Sequence, residues 1–396
     1  MSIPVIRDDR DRISEKTGVV KNPLHFAELT TALDKVHRAG LPGVFAEVRD
    51  GEQTWCGAAG VSDPCTGRPI TPDMRHRVGS ITKTFTAAAV LQQVESGQIG
   101  LDTPIGHYLP RFVPGERGDT ITVRMLINHT SGLAEYLPDA YPSLKAFPSL
   151  VETTPESSDQ NRFKRFHPTE LIGMGVAASA VGNPGGTPGV YSNTNYLLLC
   201  QLLECVTGTN AEKCITQNVI DRAGLRDTEL PVGPHVSGPH SQMYEAWFDM
   251  IDPPRDYSIY DMSWVGPSAS LISTMADLNR FYGLLLAGSI VSRSSLEQMQ
   301  QTVPVITFEG KKIEYGLGLH KMEIPGHGTF WGHDGTVWGA GAISMTRADG
   351  KRQMSVAVNL MRWNKLDVAG KPQQHPIDDA LRSLYQLAMC GSEGAS

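Results

Sequence analysis

Two Asp-Gly dipeptides, Asp50-Gly51 and Asp349-Gly350, sit near opposite ends of the chain, and each joins two runs that read as strands. Val44-Phe-Ala-Glu-Val and Gln53-Thr-Trp-Cys flank the first, and Gly341 to Thr346 and Gln353 to Leu360 flank the second. A short Asp-Gly link between such runs is a strong hairpin signal. Because an isolated hairpin is at best marginally stable in water, the economical solution is one antiparallel sheet built from both termini. Helices to cover it are also present at both ends. Phe26, Leu29, Leu33 and Val36 recur at helical spacing before Gly40, and Ile377, Leu381, Leu384 and Ala388 do the same near the other end.

If the two ends make one sheet, the middle must be an excursion from it. Between Asp102 and Ser270 the composition shifts to Pro- and Gly-containing loops with helical stretches at Thr122 to Asn128, His167 to Ala178 and Asn195 to Thr207. The expected class is therefore α/β (α+β): an antiparallel sheet flanked by helices, plus a mostly helical second lobe. The expected boundaries are a tail over 1–24, a discontinuous sheet domain over 25–101 and 271–396, and the helical lobe over 102–270, with Pro138 to Gln160 as a surface loop. With 396 residues, 40% of them apolar and 19% charged, the chain is long enough for a large core and unlike a disordered one.

The charge balance restricts partners. There are 35 Lys and Arg against 42 Asp and Glu, a net charge of −7, and no basic run. Nucleic acid and anionic membrane surfaces need clustered cations, so neither is expected as a partner. No stretch approaches the ~18–20 apolar residues of a membrane helix, and the charged N-terminal sequence offers no export signal, so a cytoplasmic protein is expected. The six cysteines form no C-x-x-C pair and read as free thiols. The histidines lack metal-ligand spacing and no phosphate-binding loop is found, so neither metal nor cofactor is expected.

Chemistry concentrates in three places. At Gly79-Ser80-Ile81-Thr82-Lys83, a short approach enters an Ala-rich helix that stops at Gly97. Ser80 and Lys83 are one helical turn apart on the same face. A serine hydroxyl needs a base, and a lysine desolvated by an almost uncharged helix has its pKa lowered enough to serve. Taken alone, Ser at a helix start is usually a cap and Lys three residues on usually faces solvent. Downstream, Tyr191-Ser192-Asn193 enters an apolar helix and offers a phenol to share a proton with Lys83 and an amide to orient a carbonyl. Third, Trp331-Gly332-His333-Asp334-Gly335-Thr336 reads as a strand whose glycines allow close approach of a substrate.

In this order, S-x-x-K, Y-x-N and H-x-G resemble the serine β-lactamase and penicillin-recognising peptidase superfamily, in its class C and Streptomyces-type DD-carboxypeptidase branch. Leu126 to Leu133, Gly266 to Phe281 and Tyr315-Gly-Leu-Gly-Leu-His320 are similar to that branch too. The resemblance implies two lobes with the site between them. It further implies that Ser80 is the acylated nucleophile, Lys83 its proton partner, Tyr191 the general acid/base and Asn193 a carbonyl anchor. His333 would be a supporting cation or hydrogen-bond donor, and the backbone N–H groups of Ser80 and Thr336 the oxyanion hole, with Gly335 between the latter two motifs' contacts.

Departures from the pattern narrow the substrate. Where the DD-carboxypeptidases hold a terminal carboxylate with a hydroxyl residue and an arginine, this chain has Asp334 and His320. Unit charges at 4 Å interact by ~4 kcal/mol at an effective dielectric of about 20, so an anionic substrate group is disfavoured there. The expected partner is a small-molecule ester, amide or amine, and the expected reaction transfers an acyl group through Ser80 to an amine (ester to amide, as in natural-product biosynthesis) or to water. The alternatives are a D-alanyl-D-alanine carboxypeptidase or β-lactamase-type hydrolase and, in another class, a catalytically silent binding domain. Trp264, Phe330, Trp331 and Trp338 are candidate water-excluding surface. The sequence does not fix the oligomeric state.

Overall fold

Val44 of the first hairpin pairs with Val358 of the last, so the two ends of the chain do meet in one sheet. The computed structural model describes residues 24–142, 144–145, 151–152 and 155–391. Its main sheet has ten strands: β1 (Gly43–Asp50), β2 (Gln53–Asp63), β3 (Arg68–Pro69), β4 (Gly189–Val190), β5 (Val303–Ile306), β6 (Lys312–Tyr315), β7 (His320–Ile324), β8 (Gly328–Val337), β9 (Ala340–Arg347) and β10 (Arg352–Val358). Side by side they run β3-β2-β1-β10-β9-β8-β7-β6-β5-β4. Every pairing is antiparallel except that of β5 with β4 at one edge.

Five helices matter for the site: α1 (Phe26–Arg38), α2 (Thr82–Glu95), α3 (Asn193–Thr207), α4 (Met275–Leu286) and α5 (Pro376–Cys390). Alternation along β1 sends Val44, Ala46 and Val48 to a core shared with Leu29, Leu33 and Val36 of α1 and Leu381, Leu384 and Ala388 of α5. Phe45 points the other way, into a larger core with α2, α3 and α4. Burial on both faces makes β1 a central strand, and each such buried aliphatic contributes about 1.5–3 kcal/mol. The termini of α5 are fixed locally: His375 and Asp378 form a reciprocal capping box ahead of Pro376.

Helix α2, whose charged residues are Lys83 and Glu95, is buried over Thr82 to Leu91, as an almost uncharged helix with no polar stripe must be. Gly97, at φ 76°, terminates the segment as its C-terminal glycine.

Within the excursion, Gly189–Val190 returns to the sheet as its β4 edge, and Tyr244–Glu245 pairs with Leu360–Met361, just after β10. One expectation needs correction: Pro138 to Gln160 is not wholly loop. Its described residues include the end of a helix, Leu137–Ala140, a two-residue ladder of Leu144–Lys145 with Val151–Glu152, and a helix, Glu156–Gln160. These pieces are too short to show a period, which is why the sequence reads as loop. Residues 143, 146–150 and 153–154 of that stretch, and all of the 1–24 tail but Leu24, lie outside the described residues. None of the six cysteines is in a disulfide. No helix among the described residues is long and apolar enough to cross a membrane.

Candidate active site

Ser80 sits in a single 3-10 turn, Gly79–Ile81, that feeds directly into α2. Lys83 follows one turn later and its ammonium donates to Ser80 Oγ at 3.0 Å, to Asn193 Oδ1 at 2.7 Å and to the carbonyl of Ser268 at 3.2 Å. The lysine is wholly buried. Burial removes water from the charged form and brings its pKa down to about 7, against the opposing pull of Glu135. A neutral Lys83 can then take the Ser80 proton along the contact already made.

Tyr191 continues the backbone of β4, where its N–H donates to Ile306. Its ring is stacked on His129 at 4.1 Å and 28°, and Phe308 meets it edge-on at 5.0 Å. Lys83 Nζ lies 5.1 Å from the centre of the Tyr191 ring. The phenol oxygen is buried without a hydrogen bond of regular geometry, although the Ser80 hydroxyl favours its ionised form. Burial dominates and holds the phenol pKa well above the usual tyrosine value, so Tyr191 is a proton donor at neutral pH.

His129, within the Leu126 to Leu133 stretch, packs against Tyr191 and is itself held in place. Its Nδ1 accepts from the Ser192 backbone N–H at 3.2 Å and meets the Asn195 side-chain amide at 3.1 Å. Burial keeps the ring neutral, and an accepting Nδ1 places the proton on Nε2. Asn193 opens α3, and because lysine only donates, its Oδ1 is the atom bound to Lys83, while its NH2 is a donor with Glu135 among its partners. The Asn193 backbone N–H donates to Glu135 Oε2 at 2.6 Å, and Leu137 N–H donates to Oε1 at 3.2 Å. Glu135 is a site residue missed in the sequence, where a single acid four residues after Ser131 carries no pattern. Burial pushes its carboxyl up to about 7, with these donors and Lys83 pulling the other way.

His333, Asp334, Gly335 and Thr336 lie on β8. His333 is no cation: burial takes it down to about 3. Its Nδ1 bonds the carbonyl of Asp334 and its Nε2 bonds the Tyr315 hydroxyl at 2.9 Å, so both ring nitrogens are engaged within the protein. His320 is likewise neutral, lowered to about 4 by burial, and cannot offset Asp334. Asp334 keeps 21% of its side chain exposed. Burial first, and then Glu309, raise its pKa to about 6. Gly335 lets β8 pack against the Ser80 turn, and the turn answers with a glycine of its own: a Cβ on Gly79 (φ 53°) would fall 2.5 Å from Thr336 N.

Two cavities meet at Ser80. One is walled by Tyr191, His320, Glu309 and Asp334, with no Lys or Arg among its described lining residues. The other is walled by Asn193, Leu137, Tyr141, Trp264 and Trp338, with Arg362 also at its wall. Of the four aromatic residues singled out for excluding water, Trp264 and Trp338 line this cavity, whereas Phe330 and Trp331 are core residues of β8. Among the described residues no group of three His, Cys, Asp or Glu is placed to hold a metal ion.

The same combination of fold and motifs occurs in known proteins. A family model described as Beta-lactamase matches residues 26–378. In solved structures, the D-stereospecific amidohydrolase from Streptomyces sp. superposes with a TM-score of 0.79 at 32% identity, over 93% of this chain and 99% of that one. Penicillin-binding protein 4* of Bacillus subtilis (strain 168) is 24% identical over 78% of this chain and 66% of its own length. Serine beta-lactamase-like protein LACTB, mitochondrial, of Mus musculus is 33% identical over 34% of this chain but only 26% of that protein. The chain thus spans less than two thirds of these two curated relatives. With the match running from α1 into α5, the chain belongs to the beta-lactamase family.

Proposed function

We propose that the protein cleaves a neutral amide or ester through an acyl-enzyme on Ser80 and passes the acyl group to an amine or to water. The observation that carries this reading is the charge of the cavity beside Tyr191, where Asp334 and Glu309 line the wall and both histidines are neutral. A terminal carboxylate would be repelled there, which disfavours D-alanyl-D-alanine peptides and β-lactams. An amine, cationic before it reacts, would be attracted.

The direction of the substrate follows from proton transfer. Neutral Lys83 takes the Ser80 proton as Oγ attacks the carbonyl carbon, and the backbone N–H groups of Ser80 and Thr336 are the donors offered to the resulting oxyanion. Tyr191 then protonates the departing nitrogen or oxygen. The leaving group therefore belongs in the cavity lined by Tyr191, and the acyl portion in the cavity of Asn193, Trp264 and Trp338. An apolar or aromatic acyl side chain fits the second. The Streptomyces relative, by its name, is D-stereospecific and cleaves amides, and a D-configured amino acid derivative is the acyl donor we put forward here. The silent-domain alternative is disfavoured because Ser80, Lys83, Tyr191 and Asn193 are all present and in contact distance.

Intact mass after incubation with D-phenylalanine methyl ester or the corresponding amide tests this. A covalent acyl adduct is expected on the native protein and not on Ser80→Ala; no adduct from any ester or amide of a panel would sink the reading.

A further inference from the structure

The connection between β5 and β6, Thr307 to Lys311, ends over the nucleophile, and Phe308 and Glu309 at its tip belong to the walls of both cavities. Thr307 braces this tip. Its N–H donates to the Lys311 carbonyl at 2.8 Å, its carbonyl accepts from Gly310 at 2.9 Å, and its hydroxyl donates to Glu309 Oε2 at 2.9 Å. A turn so tied holds Phe308 in one place.

The polar turn chemistry around it gives no reason for a phenylalanine, and the main cores do not use it. Instead Phe308 is half-buried against Tyr191, Val305 and Tyr315, with its ring 79° from that of Tyr191. His129 covers one side of the phenol ring and Phe308 bounds another. Phe308 is thus part of the wall that a molecule approaching a carbonyl on Ser80 from the Tyr191 side meets.

We infer that Phe308 is the specificity-determining residue that selects the acceptor, favouring an amine with an apolar body over water. The inference rests on the acyl-enzyme reading above. In the transfer step the amine nitrogen bonds the acyl carbon, the bond from that carbon to Ser80 Oγ breaks, and one amine proton goes by way of Tyr191 and Lys83 to Ser80 Oγ. With water the same exchange yields the free acid. An apolar ring at the mouth leaves water without a hydrogen-bond partner on that side, while an aryl or alkyl amine gains contact with it.

The test is the amide-to-acid ratio formed from D-phenylalanine methyl ester, with benzylamine or methylamine as acceptor, in the native protein, Phe308→Ala and Phe308→Leu. Acylation is followed separately by intact mass and folding by thermal melting. Phe308→Ala is expected to lower the benzylamine ratio by about tenfold, with a smaller fall for methylamine; the ratio is taken on acyl-enzyme already formed, so a change in acylation rate does not enter it. Phe308→Leu, which retains apolar bulk, is expected to fall in between and keeps the test alive should the alanine variant melt early. Equal ratios in all three proteins, or an acyl-enzyme that yields no amide at all, would overturn the inference while leaving the acyl-enzyme reading intact. A native protein that forms no acyl-enzyme would overturn both.

Discussion

A Cβ on Gly335 would lie 2.5 Å from the backbone nitrogen of Ser80 and 2.1 Å from the carbonyl oxygen of Val78. Strand β8 and the turn that carries the nucleophile therefore touch backbone to backbone. Gly335→Ala is expected to push that turn away, costing about 1–3 kcal/mol of stability as overpacking usually does. Acyl-adduct formation should fall more steeply than the melting temperature accounts for. Crystals of the variant, or adduct kinetics at a temperature where it is fully folded, check this; native adduct kinetics would argue against the contact.

The pH profile of acylation should report Lys83. Its pKa is lowered by burial to about 7, and it accepts a proton only when neutral. The rate should rise with pH, about tenfold per unit below 7, and level off above it. His333 and His320 titrate far lower, near 3 and 4, so neither should add a limb between pH 5 and 8. A profile flat across pH 6 to 8 would contradict the assignment of Lys83 as the base.

Glu135 raises the Lys83 pKa, so removing its charge has a signed consequence. Glu135→Gln retains one acceptor oxygen for the donors of Asn193 and Leu137 and lowers the pKa of the lysine further. The rising limb should move to lower pH, by up to about one unit for an effect of 1.36 kcal/mol. A limb shifted to higher pH would mean that Glu135 acts on the substrate or the fold instead.

Asp334→Asn should weaken the cavity's preference for cations, leaving Glu309 as the remaining acid on its wall. Capture of the acyl-enzyme by cationic amines is expected to weaken by about tenfold, a moderate figure because the carboxylate is partly exposed and screened. Acylation by a peptide ending in a free carboxylate should improve over the same substitution. Measuring both with one enzyme preparation separates charge from damage, since damage lowers both.

Much of the fold was legible because its main elements obey their periods. The paired Asp-Gly turns, the stripes of α1 and α5 and the almost uncharged α2 each state a local preference that the tertiary structure satisfies. Ser80, Lys83, Tyr191 and Asn193 were legible for a different reason: S-x-x-K and Y-x-N place them by spacing. Glu135, His129 and Phe308 were not, because their roles exist only across the fold. Each is an ordinary residue in its own segment and acquires meaning from what α3, β4 or the β5–β6 tip brings beside it. The charge state of His333 was hidden in the same way, since sequence shows an imidazole but not its burial.

The pairing of β1 with β10 also bears on how the molecule comes into being. The partner of the first long hairpin is made some three hundred residues later, so loop closure is among the costliest contacts in the chain and slow folding is the rule for such topologies. Until β10 emerges from the ribosome, the inner edge of β1 is an apolar strand with unsatisfied backbone groups. During synthesis that edge is where wrong strand pairing would begin. Assembly of the Ser80 site must wait for the same event, because β8 reaches the nucleophile only once the sheet has closed on its first strand.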